Sequence, residues 1–330
     1  MVDRPCLWIE EGILKLLDQR QLPGRTTIIE PSTISEQVEA IRALAVRGAP
    51  AIGVFGGFSL AFALERGEDL DSSYRSLLDS RPTAVDLRNC LDMVAEAHRL
   101  GGPEKAMVMA EKLMRDTIDS CMRIGQSGKD LIPQEGRVMT HCNAGALATL
   151  DWGTALAPIR LKAREGGKPF VWVSETRPLL QGSRLTAWEL LNEGIDHRII
   201  VDSASGHMMS KEEVDLVIVG TDRVAANGDI ANKIGTLEKA IIAREFDIPF
   251  YVAFPETTFD PQCGDGSSIP IEIRSSDEIV DYSGIRTGPL ECEGLNPAFD
   301  VTPARFITGY ITEEGVLSLE ELKRKRKTRP

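Results

Sequence analysis

Apolar and polar positions follow three successive patterns along the chain. In the first thirty residues the apolar runs are short: Cys6–Ile9, Ile13–Leu17 and Thr27–Ile29, with the turn Leu22-Pro23-Gly24 before the last. Runs of that length between turn residues predict a small β-meander. The spacing then changes to threes and fours. Val38, Ile41, Leu44 and Ala45 fall on one face, which predicts a helix with Ser35 as its cap. Pro50, in its favoured first-turn place, predicts another helix through about Glu65. Residues 84–99 and 103–126 carry the same helical period. Nothing between residues 31 and 135 reads as a strand, so residues 1–132 are expected to form a mostly helical N-terminal domain that begins with the meander.

A third pattern starts at Pro133-Gln134-Glu135-Gly136. Short apolar runs now alternate with helical stretches. The strands expected are Arg137–Cys142, Phe170–Glu175, Arg198–Asp202, Leu216–Asp222 and Phe250–Pro255, with a last apolar run at Phe306–Thr312. Helices fit at Ala144–Glu165, Gln181–Glu193, Met208–Glu213 and Asn232–Phe246. Alternation of this kind defines an α/β class, with a parallel sheet covered on both faces, over residues 133–330.

Polar residues interrupt this pattern at the strand ends. The clusters are Thr140-His141-Cys142-Asn143, Ser174-Glu175-Thr176-Arg177, Asp202-Ser203, Thr221-Asp222-Arg223 and Pro255-Glu256-Thr257. Open parallel sheets bind ligands beyond the carboxyl ends of their strands, so all five clusters are expected along one ligand-binding edge. Loops after strands are often polar without binding anything, but five clusters rich in charge and hydroxyl favour a site.

Cys142 stands at a strand end before Asn143-Ala144-Gly145 and a helix start. A cysteine is by default a small buried apolar residue. A helix N-terminus lowers a thiol pKa, and this context favours a reactive one. His141 is adjacent in sequence, yet neighbouring strand residues point to opposite faces, which disfavours a Cys-His dyad. Asp222 closes the apolar run Leu216–Gly220. A carboxyl there is desolvated, its pKa rises and it suits general-acid work; the alternative is an ion pair with Arg223.

Anion cradles need backbone N–H donors with Arg or Lys. Arg47-Gly48-Ala49-Pro50 supplies both before a helix, and Asn232-Lys233 and Gln181-Gly182 are read at two further helix starts. Arg81 lies in Ser80-Arg81-Pro82-Thr83, read as a turn that caps the next helix. Gly53, Gly56 and Gly57 follow no strand, so they do not form a dinucleotide fingerprint and are assigned to close helix packing.

Composition narrows the classes. Of 330 residues, 42% are hydrophobic, enough for a full core. No apolar run is long enough to span a bilayer, and no signal pattern opens the chain, so a cytoplasmic protein without membrane contact is expected. A formal net charge of -12 argues against nucleic-acid binding. The basic tail, Lys323–Lys327 with Arg329, follows a capping box at Ser318 and Glu321, so it is read as a terminal helix with basic residues at its favourable end. Six cysteines include no Cys-x-x-Cys pair and no zinc spacing, which predicts free thiols and no metal.

The motifs also carry a resemblance. Arg47-Gly48-Ala49-Pro50-Ala51-Ile52-Gly53, Arg81-Pro82-Thr83-Ala84-Val85, Thr140-His141-Cys142-Asn143-Ala144-Gly145 and Glu175-Thr176-Arg177-Pro178 with Gln181-Gly182 resemble the signatures of methylthioribose-1-phosphate isomerases. So do the segments 220–229, 232–236 and 296–303. The resemblance runs in order over nearly the whole chain. That family shares a superfamily with ribose-1,5-bisphosphate isomerases and the regulatory subunits of initiation factor two-B. It implies a Rossmann-like C-terminal domain, a homodimer, and a sugar-phosphate substrate handled without metal or cofactor in methionine salvage. It further implies Asp222 as proton donor, Cys142 as the group that assists proton movement or stabilises the transition state, and Arg47, Gly48, Ala49, Arg81, Gln181, Asn232 and Lys233 as substrate-binding residues. Two stretches depart from the family pattern, 202–209 and 263–274. They leave the C5 substituent open between methylthio, deoxy, hydroxyl and phosphate. A non-catalytic regulatory subunit is the rival from another class; such subunits need not keep the pair Cys142 and Asp222.

Overall fold

The computed structural model describes residues 5–81, 84–282 and 284–326. Leu7–Glu10, Ile13–Leu17 and Ile28–Ile29 pair antiparallel as the meander. The helix Ile34–Arg42 follows, capped by Thr33 rather than by Ser35. Glu36 decides this: its backbone N–H donates to the Thr33 hydroxyl, and its carboxylate accepts from the Thr33 N–H, a reciprocal pair that Ser35 has no partner to form.

Ala49–Glu65 is buried along most of its length and packs on the long helix Val85–Gly128. That helix is kinked at Gly101–Gly102 just before Pro103, which joins the two periodic stretches. Close packing needs small residues: a Cβ on Gly56 would lie 2.3 Å from Leu87, and one on Gly53 2.9 Å from the Asp86 carbonyl. A helix that the periodicity did not reveal, Leu70–Leu78, is capped by Asp69. Ala84 is the N-cap of the long helix, and Arg81 lies in the turn before it; Pro82 and Thr83 lie outside the described residues.

The main sheet has seven strands, in the order Gly315–Leu317, Gly309–Thr312, Phe250–Ala253, Leu216–Val219, Arg137–Thr140, Phe170–Ser174 and His197–Ile200. All neighbours are parallel except the first pair. Numbered along the chain, the six parallel strands run 3-2-1-4-5-6, the doubly wound order. Leu216 and Ile218 pack into the core on one face, Val217 and Val219 into the core on the other, as a strand covered on both sides requires.

Several elements differ from the sequence reading. Cys142 and Asp222 lie just past their strands, in the turns. The stretch 144–165 is two helices, Ala146–Thr149 and Leu156–Arg164, with Leu150 and Gly153 at positive φ between them. The helix expected over Met208–Glu213 is Ser205–Ser210. Asn232 and Lys233 do not open a helix. They end the strand Ile230–Lys233, and the helix begins later, at Thr236. That strand belongs to a second, four-stranded sheet with Arg223–Ala225, Phe259–Asp260 and Phe299–Thr302. The terminal helix Leu319–Arg326 carries the Ser318–Glu321 capping bonds. Among the described residues, no helix is long and apolar enough to cross a membrane.

Candidate active site

The order of the sheet strands reverses between Arg137–Thr140 and Leu216–Val219. Chains leaving those two strands diverge, and a crevice opens above them. Cys142 follows the first strand and Asp222 the second. Both line a cavity that also takes in Arg47, Gly48, Ala49, Arg81, Gln181, Asn232 and Lys233. Arg47 and Gly48 come from the turn before the helix Ala49–Glu65, which Ala49 opens, and Arg81 from the turn after Leu70–Leu78. Leu44, Ile52, Val85 and Leu179 add an apolar wall.

The five strand-end clusters divide into two groups. Residues of the first, fourth and fifth line the cavity. Thr176 and Asp202, from the second and third, do not. They form a polar layer behind Cys142, Thr176 buried and Asp202 half-buried, where Asp202 accepts hydrogen bonds from the N–H groups of Thr176 (2.8 Å) and Arg177 (2.7 Å). His141 points into this layer too, with Nε2 2.8 Å from the Ile234 carbonyl, which requires the proton on that nitrogen. Burial, with Lys239 nearby, pushes its pKa down to about 3, so the ring is neutral. It forms no dyad with Cys142.

Burial raises the Cys142 thiol above its ordinary value, while the Lys233 and Arg47 cations pull the other way. The lowered pKa expected from a helix start is thus reversed. The helix after Cys142 is a single turn, and its first N–H groups, Ala146 and Leu147, are taken by the Glu189 carboxylate. Burial also raises the Asp222 carboxyl, against Lys233, Arg81 and Arg47, and Glu272 raises it further. Arg223 pairs instead with Asp260, at 3.7 Å.

The cationic side of the cavity is built from held groups. Arg47 donates to the carbonyl (3.2 Å) and the side-chain oxygen of Asn143, whose amide donates in turn to Glu189 at 2.8 Å. Gly48 sits at φ 87, and a Cβ there would lie 2.5 Å from the Ala148 carbonyl oxygen, so only glycine fits. Lys233 reaches the Ala298 carbonyl at 3.0 Å and lies over the Phe299 ring. Asn232 donates to Thr236. The Gln181 amide oxygen is buried without a hydrogen-bond partner among the described residues, an acceptor at the cavity. Arg81 lies 3.5 Å from Glu272, which also pairs with Arg274 at 3.2 Å.

Sequence reasoning placed Asn143 in a strand-end cluster but missed Glu189, Thr186 and Glu272 as site-building groups. Glu189 is a mid-helix acid with no local signal, and Glu272 lies in one of the two stretches that depart from the family pattern. Among the described residues, no three His, Cys, Asp or Glu side chains gather as a metal site.

A doubly wound sheet with a thiol and a protonatable carboxyl at its switch point, roofed by cations, describes a class of anion-binding α/β proteins. The chain belongs to the initiation factor 2 subunit family, whose model matches residues 45–319. Within it, a methylthioribose-1-phosphate isomerase of Desulforudis audaxviator is 48% identical, covering 94% of each chain. Another, of Pelotomaculum thermopropionicum, is 44% identical, over 94% of this chain and 90% of its own. The solved 5-methylthioribose 1-phosphate isomerase of Pyrococcus horikoshii OT3 superposes with TM-score 0.92 at 36% identity, covering 99% of this chain and 96% of that one. A structure described as translation initiation factor eIF-2B, subunit delta, from A. fulgidus matches with TM-score 0.87 at 38% identity, over 98% and 100%.

Proposed function

We propose that the chain is an aldose–ketose isomerase that converts 5-methylthioribose 1-phosphate to 5-methylthioribulose 1-phosphate, a step of methionine salvage. The observation that carries this reading is the placement of Cys142 and Asp222 in one part-open cavity with Arg47, Arg81 and Lys233. The cations, with Gly48, Ala49, Gln181 and Asn232, hold the sugar phosphate.

A phosphate on the anomeric carbon blocks ordinary opening to a free aldehyde, so an acid must assist. Asp222, whose carboxyl holds its proton more tightly than a free one, gives that proton to the ring oxygen as the C1–O bond breaks. Hydrogen then moves from C2 to C1 with its electron pair. The 2-hydroxyl becomes a carbonyl and its proton passes to the Cys142 sulfur, whose thiolate form the Lys233 and Arg47 cations favour against the desolvation that opposes it. One proton is given and one is taken, so exchange between the two groups and solvent restores the site. Hydride movement suits the apolar wall of Leu44, Ile52, Val85 and Leu179, which keeps water from the reacting carbons.

The same reading includes separate folding units at 1–132 and 133–330, with the cavity between them, and a homodimer. Sedimentation showing only monomer at micromolar concentration would remove the dimer. The function is tested by offering 5-methylthioribose 1-phosphate, 5-deoxyribose 1-phosphate and ribose 1,5-bisphosphate side by side. Fastest turnover of the first is the result expected. Preference for another would reassign the C5 substituent. No turnover of any would favour the regulatory-subunit reading, which the A. fulgidus likeness keeps in view.

A further inference from the structure

Cys142 and Thr176 both hold left-handed backbone, at φ 62 and 66, which a side chain with a Cβ adopts only when its surroundings impose it. They stand in the turns after two neighbouring sheet strands, Arg137–Thr140 and Phe170–Ser174. The Cys142 N–H donates to the Thr176 hydroxyl at 2.8 Å. Its carbonyl accepts from the Thr186 hydroxyl at 2.6 Å. Both backbone groups of the thiol residue are therefore gripped by threonines.

Thr176 is fully buried and lies outside the cavity lining. Its one hydroxyl proton goes to the Ser174 carbonyl (3.0 Å) or to the bare His141 Nδ1 (3.4 Å), and either leaves a lone pair facing the Cys142 N–H. Its own N–H is fixed by Asp202, from the end of the next strand, which also accepts from the Arg177 N–H and the Ser174 hydroxyl. Three donors converge on one side chain, and only a carboxylate offers acceptors alone. The buried Lys239 balances its charge. Thr186 reaches the other side from the π-helical stretch Gly182–Thr186. That stretch lies against the second strand because Gly182 has no Cβ; one there would be 1.8 Å from the Ser174 carbonyl.

We propose that Thr176, held by Asp202, is a positioning residue that locks the strained Cys142 backbone so that its thiol stays aimed into the cavity. This rests on the reading of Cys142 as a reacting group, and its test has one arm that does not need turnover. Thr176→Val keeps the volume and removes the acceptor; Thr176→Ser keeps the hydroxyl. In Thr176→Val, kcat should fall at least about tenfold with KM within about threefold, since the phosphate grip is intact. Alkylation of Cys142 by iodoacetamide, followed at peptide level by mass spectrometry, should be at least about threefold faster as the lock opens. Thr176→Ser should restore both. Asp202→Asn, which keeps one acceptor oxygen, should shift both in the same direction by less, and it serves if Thr176→Val does not fold. Wild-type turnover and alkylation in folded Thr176→Val overturn the proposal, as does equal damage in Thr176→Ser. Should the wild type not turn over 5-methylthioribose 1-phosphate, the functional reading fails, and alkylation still decides the lock.

Discussion

The Arg47 guanidinium grips the backbone carbonyl and the side-chain oxygen of Asn143, the residue directly after Cys142. A cation from the turn before the helix Ala49–Glu65 is thereby fixed to the turn that carries the thiol. Glu189 completes the arrangement by accepting from the Asn143 amide and from two helix N–H groups.

Removing Asn143 leaves a half-buried cation and a buried carboxylate without their shared partner. Asn143→Ala should cost roughly 2–3 kcal/mol of stability in denaturant melts. Arg47→Lys keeps the charge but loses the fork, and KM should rise about tenfold. An unchanged KM for Arg47→Lys would mean that the guanidinium only braces Asn143.

The two reacting groups make a sharper case. Asp222→Asn removes the transferable proton, and Cys142→Ser replaces the thiol with a group of far higher pKa. Each should lower kcat by on the order of 10²–10⁴ with little change in KM. Steady-state kinetics on folded, purified variants decides this. Near-normal turnover in Cys142→Ser would return Cys142 to a structural thiol, and the same in Asp222→Asn would leave the ring-opening acid unidentified.

Hydride movement makes an isotopic prediction. Run in D2O, the reaction should yield product with no solvent deuterium at C1, read by proton NMR. Substantial incorporation would point to proton abstraction at C2 and an enediol intermediate.

Asp86, in the first turn of the long helix, is a buried carboxyl whose pKa is raised from 3.8 to about 6 by burial and by Asp222. Among the described residues, one of its oxygens has no hydrogen-bond partner. Because the folded pKa lies above the unfolded one, the folded chain binds the extra proton. Stability from this group is full below pH 3.8 and is lost as pH rises through about 6. The ionised form therefore destabilises the fold at neutral pH by roughly 3 kcal/mol at most. Asp86→Asn should raise the melting temperature at pH 8 and have little effect near pH 4. Equal effects at the two pH values would show that Asp86 does not titrate in that range.

The sequence by itself determined the local elements and the chemistry available to them. Patterning located the meander, the helix Ile34–Arg42 and the parallel strands, because strand and helix periods are written in the order of side chains, and Pro50 marked the start of the buried Ala49–Glu65 helix. Motifs pointed to Arg47, Arg81, Cys142, Asp222 and Lys233, and these residues share one cavity. Tertiary structure alone decided the rest. The strand order 3-2-1-4-5-6, which puts Cys142 and Asp222 on either side of one crevice, depends on pairing between segments far apart in sequence. The second sheet turned Asn232 and Lys233 from a helix start into a strand end, since the Ile230–Lys233 run is held by Phe299–Thr302, over sixty residues later. Thr176 and Asp202 became supports behind the site rather than part of its lining. Even the sign of the Cys142 pKa shift was a tertiary matter: the helix start suggested lowering, and desolvation by the packed N-terminal helices and sheet outweighs it. Burial is a property of everything around a residue, and no stretch of neighbours in the chain encodes it.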